Sequence, residues 1–123
     1  MRYLELDELI EIVRAVAGTD RAVRDWGLLS SAAERPRTDV FGVEAYPTLH
    51  AKAAALLHSL ARNHALVDGN KRVAWLACRA TLRYNGISMR VHPDDAVPFV
   101  EAIARGELEV VDIATQLERW TSA

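Results

Sequence analysis

The stretch LHAKAAALLHSLARNHALVDGNKRVAWLACRATLRYNG, residues 49–86, carries the strongest structural signal in this 123-residue chain. Its first half repeats apolar residues at the three-to-four spacing of a buried helix, in a stripe that runs toward His64. In the second half the residues with this spacing are Val73, Leu76, Ala77 and Ala80. Gly86 follows, the residue type that often ends a helix in the left-handed conformation. We predict two buried helices, one extending to His64 and one beginning near Asn70, joined by a polar loop.

Segments on both sides of this stretch also have a helical period. LDELIEIVRAV, residues 6–16, predicts a helix that Gly18 ends, and RDWGLLSSAAERP predicts a short helix over residues 24–34. Pro36 ends the second of these because proline disfavours helical geometry in the residue before it. HPDDAVPFVEAIARGE and ELEVVDIATQLERW, between residues 92 and 120, predict the last two helices.

RTDVFGVEAYPT, residues 37–48, has no helical period and is predicted to be a loop or a small hairpin. No internal repeat or low-complexity linker divides the chain. We therefore expect residues 1–123 to form a single all-α domain, a compact bundle of about six helices with this short flap.

Composition excludes several classes of protein. Half of the residues are hydrophobic, which is enough apolar material for a core. The net charge of −2 argues against direct DNA binding through a broadly basic face, and the single Cys78 excludes an intramolecular disulfide. No apolar stretch approaches the ~20 residues of a membrane span, and the first segment carries acids where a signal peptide would be apolar. A cytoplasmic protein is the expectation.

The loop HALVDGNKR, residues 64–72, combines residue types that suit a phosphate. A helix that begins near Asn70 presents unpaired backbone N–H groups and the positive end of its dipole to the loop. Gly69 allows close backbone approach, while Lys71 and Arg72 add charge and the Asn70 amide adds a donor. Two cations in a first turn oppose the helix dipole unless an anion lies nearby.

Two further residues of the loop have the chemistry of a catalytic site. Asp68 would repel a phosphate directly, but it fits as a ligand of a Mg²⁺ ion that phosphate oxygens share. His64, four residues earlier, is a candidate general base near neutral pH. Between residues 62 and 83 the sequence has five cationic residues and one acidic residue. This local positive charge favours a discrete nucleotide or phosphate pocket. Each residue also has a simpler interpretation: a packed or capping His64, a turn at Asp68, and solvated cations.

HALVDGNKR resembles the signature of the Fic/Doc family, His, any, Phe, any, Asp or Asn, any, Asn, Lys, Arg. It is similar to the Doc (death-on-curing) branch because Lys71 stands where Fic nucleotidyltransferases carry a second glycine. RDWGLLSSAAERP, VFGVEAYPTLHAKAAALLHSLARNH and NKRVAWLACRATLRYNG also read like Doc segments in the usual order. The all-α fold that this resemblance implies agrees with the predicted bundle.

The resemblance implies a toxin of a toxin-antitoxin pair that transfers phosphate from ATP or another nucleoside triphosphate, with Mg²⁺, to a hydroxyl of a translation factor. Elongation factor Tu is the target expected in this branch. His64 then corresponds to the base and Asp68 to the Mg²⁺ carboxylate. The residues that correspond to the phosphate-binding set are Gly69, Asn70, Lys71 and Arg72. A long cationic side chain at 71 alters how a triphosphate can sit, so that a different phosphorus would face His64.

Two departures and one ambiguity accompany the resemblance. Leu66 stands where the family usually has Phe, which keeps an apolar anchor but changes its shape. The segment with Phe41, Gly42 and Tyr46 resembles the flap that lays the target's backbone beside the site, and it also fits a plain surface hairpin packed by Phe41 and Tyr46. The self-inhibition motif of some Fic proteins, Ser or Thr, three residues, Glu, then Gly or Asn, is absent. Inhibition is therefore expected from a separate antitoxin, whose disordered segment folds as a helix in a groove.

Two other functions remain open at this point. One is a nucleotidyltransferase that adds a nucleotide to a protein hydroxyl, and the other is a non-catalytic helical binding module. The remaining notable side chains are expected to serve packing: Cys78, Trp26, Trp75 and Trp120. His50, His58 and His92 have no metal-ligand spacing, so a structural zinc site is not expected.

Overall fold

The computed structural model describes residues 1–122, and this part of the chain folds as an all-α bundle of six helices with a very small β-hairpin. The helices are α1 (Leu6–Ala17), α2 (Trp26–Glu34), α3 (Leu49–Arg62), α4 (Asn70–Tyr84), α5 (Pro93–Ala104) and α6 (Val110–Thr121). Single 3₁₀ turns cover Asp20–Ala22 and Arg35–Arg37. The predicted fold class and the number of helices are confirmed.

Helix α3 is the centre of the bundle, since it packs against α4 and α6 most extensively and also against α2 and α5. Most of its residues are buried, because alanines on its flanks let neighbouring helices approach closely. Leu56, Leu57 and Leu60 continue into one core with Leu9 and Leu82. That core supports the loop at the end of α3 from below.

Helix α4 carries a second group of buried residues on the side that faces α3. Cys78 lies within it, and full burial raises the pKa of its thiol to about 12, as expected for a packing residue. Trp75 and Trp120 also pack, in edge-to-face contacts with Phe99 that join α4, α5 and α6. Trp26 does not, because it is the first residue of α2 and is 48% exposed.

The segment before α3 was predicted to be a loop or a small hairpin, and it is a hairpin. β1 (Asp39–Val40) and β2 (Val43–Glu44) pair antiparallel, with Phe41 and Gly42 at the tip. Phe41 is fully exposed and has a left-handed φ of 53°, so the interpretation in which Phe41 packs against the hairpin is wrong. Tyr46 is half-buried at the base, where its hydroxyl accepts a hydrogen bond of 3.0 Å from Arg35 Nε.

Two details of the predicted helices are wrong. α3 ends at Arg62, and His64 lies beyond it with a left-handed φ of 53°, because the chain turns there to enter the loop. Leu76, expected on the buried stripe of α4, is 42% exposed because it faces a cleft rather than the core. Within residues 1–122, no helix combines the length and the hydropathy required to cross a bilayer.

Candidate functional site

The loop between α3 and α4 brings His64 to the surface in a fixed backbone conformation. Asn63 holds the entry to the loop, because its Nδ2 donates to the Leu28 carbonyl at 3.0 Å and its Oδ1 accepts from Ala65 N at 3.2 Å. Ala65 and Leu66 are buried below, whereas the His64 side chain is exposed. Leu66, in the place of the family's Phe, is an apolar anchor in the core. The imidazole therefore reaches solvent from a backbone that is held by hydrogen bonds and buried neighbours.

Asn70 ties the loop to the first turn of α4 through both ends of its side-chain amide. Its Oδ1 accepts from Leu66 N at 3.0 Å and its Nδ2 donates to the Leu66 carbonyl at 2.9 Å. These contacts use the amide that the sequence analysis expected to face a phosphate. In this arrangement Asn70 shapes the loop, and the group that it offers to a ligand is its backbone N–H.

Gly69 occupies the N-cap position of α4 with a left-handed φ of 84°. A Cβ atom built on Gly69 would lie 3.2 Å from Cγ1 of Val16 on α1, a tight contact. Glycine is required here for both reasons, since it adopts this conformation freely and leaves room for α1. The backbone can thus turn directly into α4 while α1 closes against it.

The amino end of α4 differs from those of the other helices in residues 1–122, because it has no side-chain cap. α2, α3 and α5 are capped by Asp25, Thr48 and His92, and α1 and α6 by capping boxes. No group in the described residues accepts a hydrogen bond from the backbone N–H groups of residues 70–72. Three donors and the positive end of the helix dipole are left free for a ligand.

This helix end opens into a cleft of about 910 Å³ between α4 and α5. The cleft brings together all six residues predicted for the site: His64, Asp68, Gly69, Asn70, Lys71 and Arg72. Its volume is within the range of pockets that hold nucleotide-sized molecules. Arg79, two turns along α4, extends the positive lining.

The opposite wall of the cleft was not predicted. It comes from α5 and the residues that flank it: its apolar part is Val91, Pro93, Ala96, Val97 and Val100, and the charged Glu101 and Arg105 lie at its far end. Val97 is 54% exposed, which gives the cleft an apolar side opposite the cations. The helical period of α5 predicts a helix but does not tell which helix it faces, so no local signal could have placed this wall.

The cations of the cleft are available to an anion. In residues 1–122, no carboxylate lies within ion-pair distance of Lys71, Arg72 or Arg79. All three side chains are exposed. Unpaired cations beside free helix N–H groups form a strong attraction for a phosphate.

Asp68 is the carboxylate nearest in sequence to this anion site. It is exposed, and its Oδ1 accepts from Gly69 N at 2.8 Å, which leaves Oδ2 without a partner among the described residues. No group of three or more His, Cys, Asp or Glu side chains in residues 1–122 could hold a metal. A single carboxylate fits Mg²⁺, which usually keeps waters and phosphate oxygens as its other ligands.

A second, smaller cavity of about 470 Å³ lies on the other side of the loop. Val16, Thr19 and Arg21 line it from α1 and the following 3₁₀ turn, and it shares Asp68 and Arg72 with the cleft. Residues of the loop thus line both cavities.

Comparison with known proteins adds two findings. Residues 3–82 match the sequence model of the Fic/DOC family. The chain is also 42% identical over 123 residues to a protein named Toxin Doc from Mycolicibacterium smegmatis, an alignment that covers 98% of this chain and 95% of that protein. The family match includes the whole loop, all of α3 and α4 as far as Leu82.

Proposed function

The chain belongs to the Fic/DOC family, whose members are enzymes that transfer groups to proteins, and on this basis we propose that it is a toxin that phosphorylates a translation factor. The donor is ATP or another nucleoside triphosphate with Mg²⁺, and the acceptor is a hydroxyl, with elongation factor Tu as the expected target. Such a toxin acts in the cytoplasm and requires a cognate antitoxin.

The observation that carries this proposal is the uncapped amino end of α4 in the cleft, beside His64. Backbone N–H groups of residues 70–72 and the side chains of Lys71 and Arg72 can donate to phosphate oxygens. The apolar residues that α5 contributes, among them Ala96, Val97 and Val100, suit contact with the base and ribose of a nucleotide. The cleft thus has one end for phosphates and another for the rest of the nucleotide.

Asp68 is the residue of this chain that would hold Mg²⁺, through its free oxygen. When bound, the ion neutralises charge on the phosphate oxygens. Lys71 and Arg72 contribute to the same neutralisation as fixed cations, since no carboxylate in residues 1–122 pairs with them. Phosphoryl transfer depends mainly on such positioning and charge stabilisation.

His64 is proposed as the general base. Its imidazole accepts the proton of the acceptor hydroxyl as the hydroxyl oxygen forms a bond to the terminal phosphorus. The bond between that phosphorus and the bridging oxygen breaks, and the nucleoside diphosphate leaves. The flap is proposed to hold the target's backbone beside His64, and its exposed tip of Val40, Phe41 and Val43 supports this role.

A labelling experiment tests the proposal. The purified chain is incubated with ATP, Mg²⁺ and purified elongation factor Tu, and in parallel with a cell extract, and modified proteins are identified by mass spectrometry. We expect added phosphate, and a loss of at least a hundredfold in rate for His64→Gln, the range in which general bases contribute. Added nucleotide in place of phosphate would contradict phosphate transfer and support a nucleotidyltransferase.

The matched control is His50→Gln, the same change at an imidazole outside the cleft. His50 Nε2 lies 2.8 Å from Thr121 Oγ1, a contact that a glutamine amide can keep. We expect His50→Gln to retain full activity. Growth arrest that survives in a folded His64→Gln variant, with no modified protein detected, would instead support a non-catalytic binding module.

A further inference from the structure

His64 owes its position to a segment that lies about forty residues earlier in the chain. The left-handed φ of 53° at His64 is uncommon for a residue other than glycine. α3 has already ended at Arg62, so the hydrogen bonds of the helix do not impose this conformation. Within the loop, Asn63 Oδ1 accepts from Ala65 N across His64, and contacts from outside the loop add to this local hydrogen bond.

Those contacts come from residues 22–25, which connect the first 3₁₀ turn to α2. Backbone N–H groups of Arg24 and Asp25 both donate to the Ala65 carbonyl, at 2.8 and 3.1 Å, and Val67 N donates to the Ala22 carbonyl at 2.8 Å. Val23 and Leu66 form an isolated antiparallel bridge between the two segments. The loop therefore lies against the connector like a short strand.

One side chain of the connector reaches His64 itself. The guanidinium of Arg24 donates from Nη2 to the His64 carbonyl oxygen at 2.6 Å, a charge-assisted hydrogen bond. In residues 1–122, no carboxylate lies within ion-pair distance of Arg24, so this carbonyl is its polar partner. The carbonyl direction fixes the rotation about the Cα–C bond of His64, and together with the φ of 53° it orients the Cα–Cβ bond relative to the connector.

We propose that Arg24 is a positioning residue that holds the His64 imidazole toward the cleft by fixing the His64 carbonyl. Arg24 is outside the set of residues that line the cleft. The Fic/Doc signature ends at Arg72 and does not include it. The expected effect of Arg24 on catalysis rests on the proposed function, whereas its effect on the loop rests on backbone geometry alone.

Arg24→Gln and Arg24→Lys test the proposal, with Arg119→Gln as the control because Arg119 is an exposed arginine on α6 without an ion pair within residues 1–122. We expect Arg24→Gln to lower kcat by about tenfold or more, the effect of a misplaced catalytic group. The Kd for ATP should stay unchanged, because the helix end and its cations are intact. Arg24→Lys, which keeps a cationic donor, should recover part of kcat.

Backbone NMR separates failure of this proposal from failure of the proposed function. In Arg24→Gln, the amide resonances of residues 64–66 should shift while those of α6 stay in place, and Arg119→Gln should leave the loop unchanged. Unshifted loop resonances, or a kcat equal to that of the unmodified chain, would overturn the positioning role. If the unmodified chain transfers nothing from ATP, the resonances of residues 64–66 still decide whether Arg24 fixes the loop.

Discussion

Gly69 meets two separate demands, a left-handed backbone and a close neighbour on α1, and a pair of variants can separate them. Gly18 has nearly the same φ of 80° but no atom within 4 Å of an added Cβ, whereas Gly69 has Val16 at 3.2 Å. Gly18→Ala should therefore lower the free energy of unfolding by about 1 kcal/mol, the conformational cost alone. Gly69→Ala should lower it by about 2 kcal/mol or more, because α1 must also move.

Urea denaturation of both variants measures this difference. Adding Val16→Ala to Gly69→Ala should recover the part of the loss that comes from the contact with α1. Equal losses for Gly18→Ala and Gly69→Ala would mean that α1 does not press on the loop.

Individual residues also show which features a local sequence pattern can predict and which it cannot. Gly69, Lys71 and Arg72 lie where the loop pattern placed them, because a helix end imposes its geometry on its own neighbours. The Asn70 amide turns back to Leu66, which its residue type allowed but did not require. The roles of Leu66 and the Asn70 side chain follow from contacts that only the folded chain reveals.

The hairpin is the element that we propose contacts the target. A buried cation on α3 holds the base of the hairpin. Lys52 on α3 is 3% exposed, and its Nζ donates to Glu44 Oε1 on β2 at 3.1 Å and to the Tyr46 carbonyl. Arg35 adds a hydrogen bond to the Tyr46 hydroxyl at the same base. The tip is thus free of contacts while the base is bound to the most buried helix.

Lys52→Met tests whether this attachment orders the hairpin. Removing the donor leaves the Tyr46 carbonyl unpaired, at a cost of about 1–3 kcal/mol, and should raise the rate of amide hydrogen exchange in residues 39–46 but not in α4. Protein phosphorylation should fall while the affinity for ATP stays constant, because the nucleotide site is separate from the hairpin. The control Glu44→Gln keeps an oxygen acceptor for Lys52 Nζ and removes only the carboxylate charge, so exchange in residues 39–46 should rise less than in Lys52→Met. Unchanged exchange in Lys52→Met would show that the hairpin is ordered by other contacts.

The bundle as a whole should lose stability in mild acid through His58. Its Nδ1 lies 2.7 Å from Arg35 Nη1, so the neutral ring accepts a hydrogen bond there. Burial, followed by the charges of Arg35 and Arg62, lowers the pKa of His58 below its ordinary value of 6.5, against a smaller opposing effect of Glu109. The unfolded chain therefore binds a proton before the folded chain does, and the stabilisation present above pH 6.5 decreases as the pH falls toward the lowered pKa.

Urea denaturation between about pH 7.5 and 5 measures this dependence. His58→Asn keeps an acceptor near the position of Nδ1 but does not titrate, so its free energy of unfolding should fall less steeply over the same range. Parallel pH profiles for the two chains would exclude His58 as the source.

Features that depend on residues close in sequence could be predicted, whereas features that depend on contacts between remote segments could not. All six helices and the start of α4 at Asn70 could be predicted, because helical period, glycine stops and proline positions are local signals. The apolar wall from α5 and the reach of Arg24 to His64 could not, since both depend on how remote segments pack. The exposure of Leu76 has the same origin, because only the cleft explains why an apolar residue on α4 is left uncovered.

The bond between Arg24 and His64 joins residues 40 positions apart. If Arg24 positions His64 as proposed, a partly folded molecule in which α3 and α4 have formed lacks a positioned imidazole until the connector before α2 has docked. Enzymatic activity would then depend on the closed tertiary structure and not on the loop and its two helices alone.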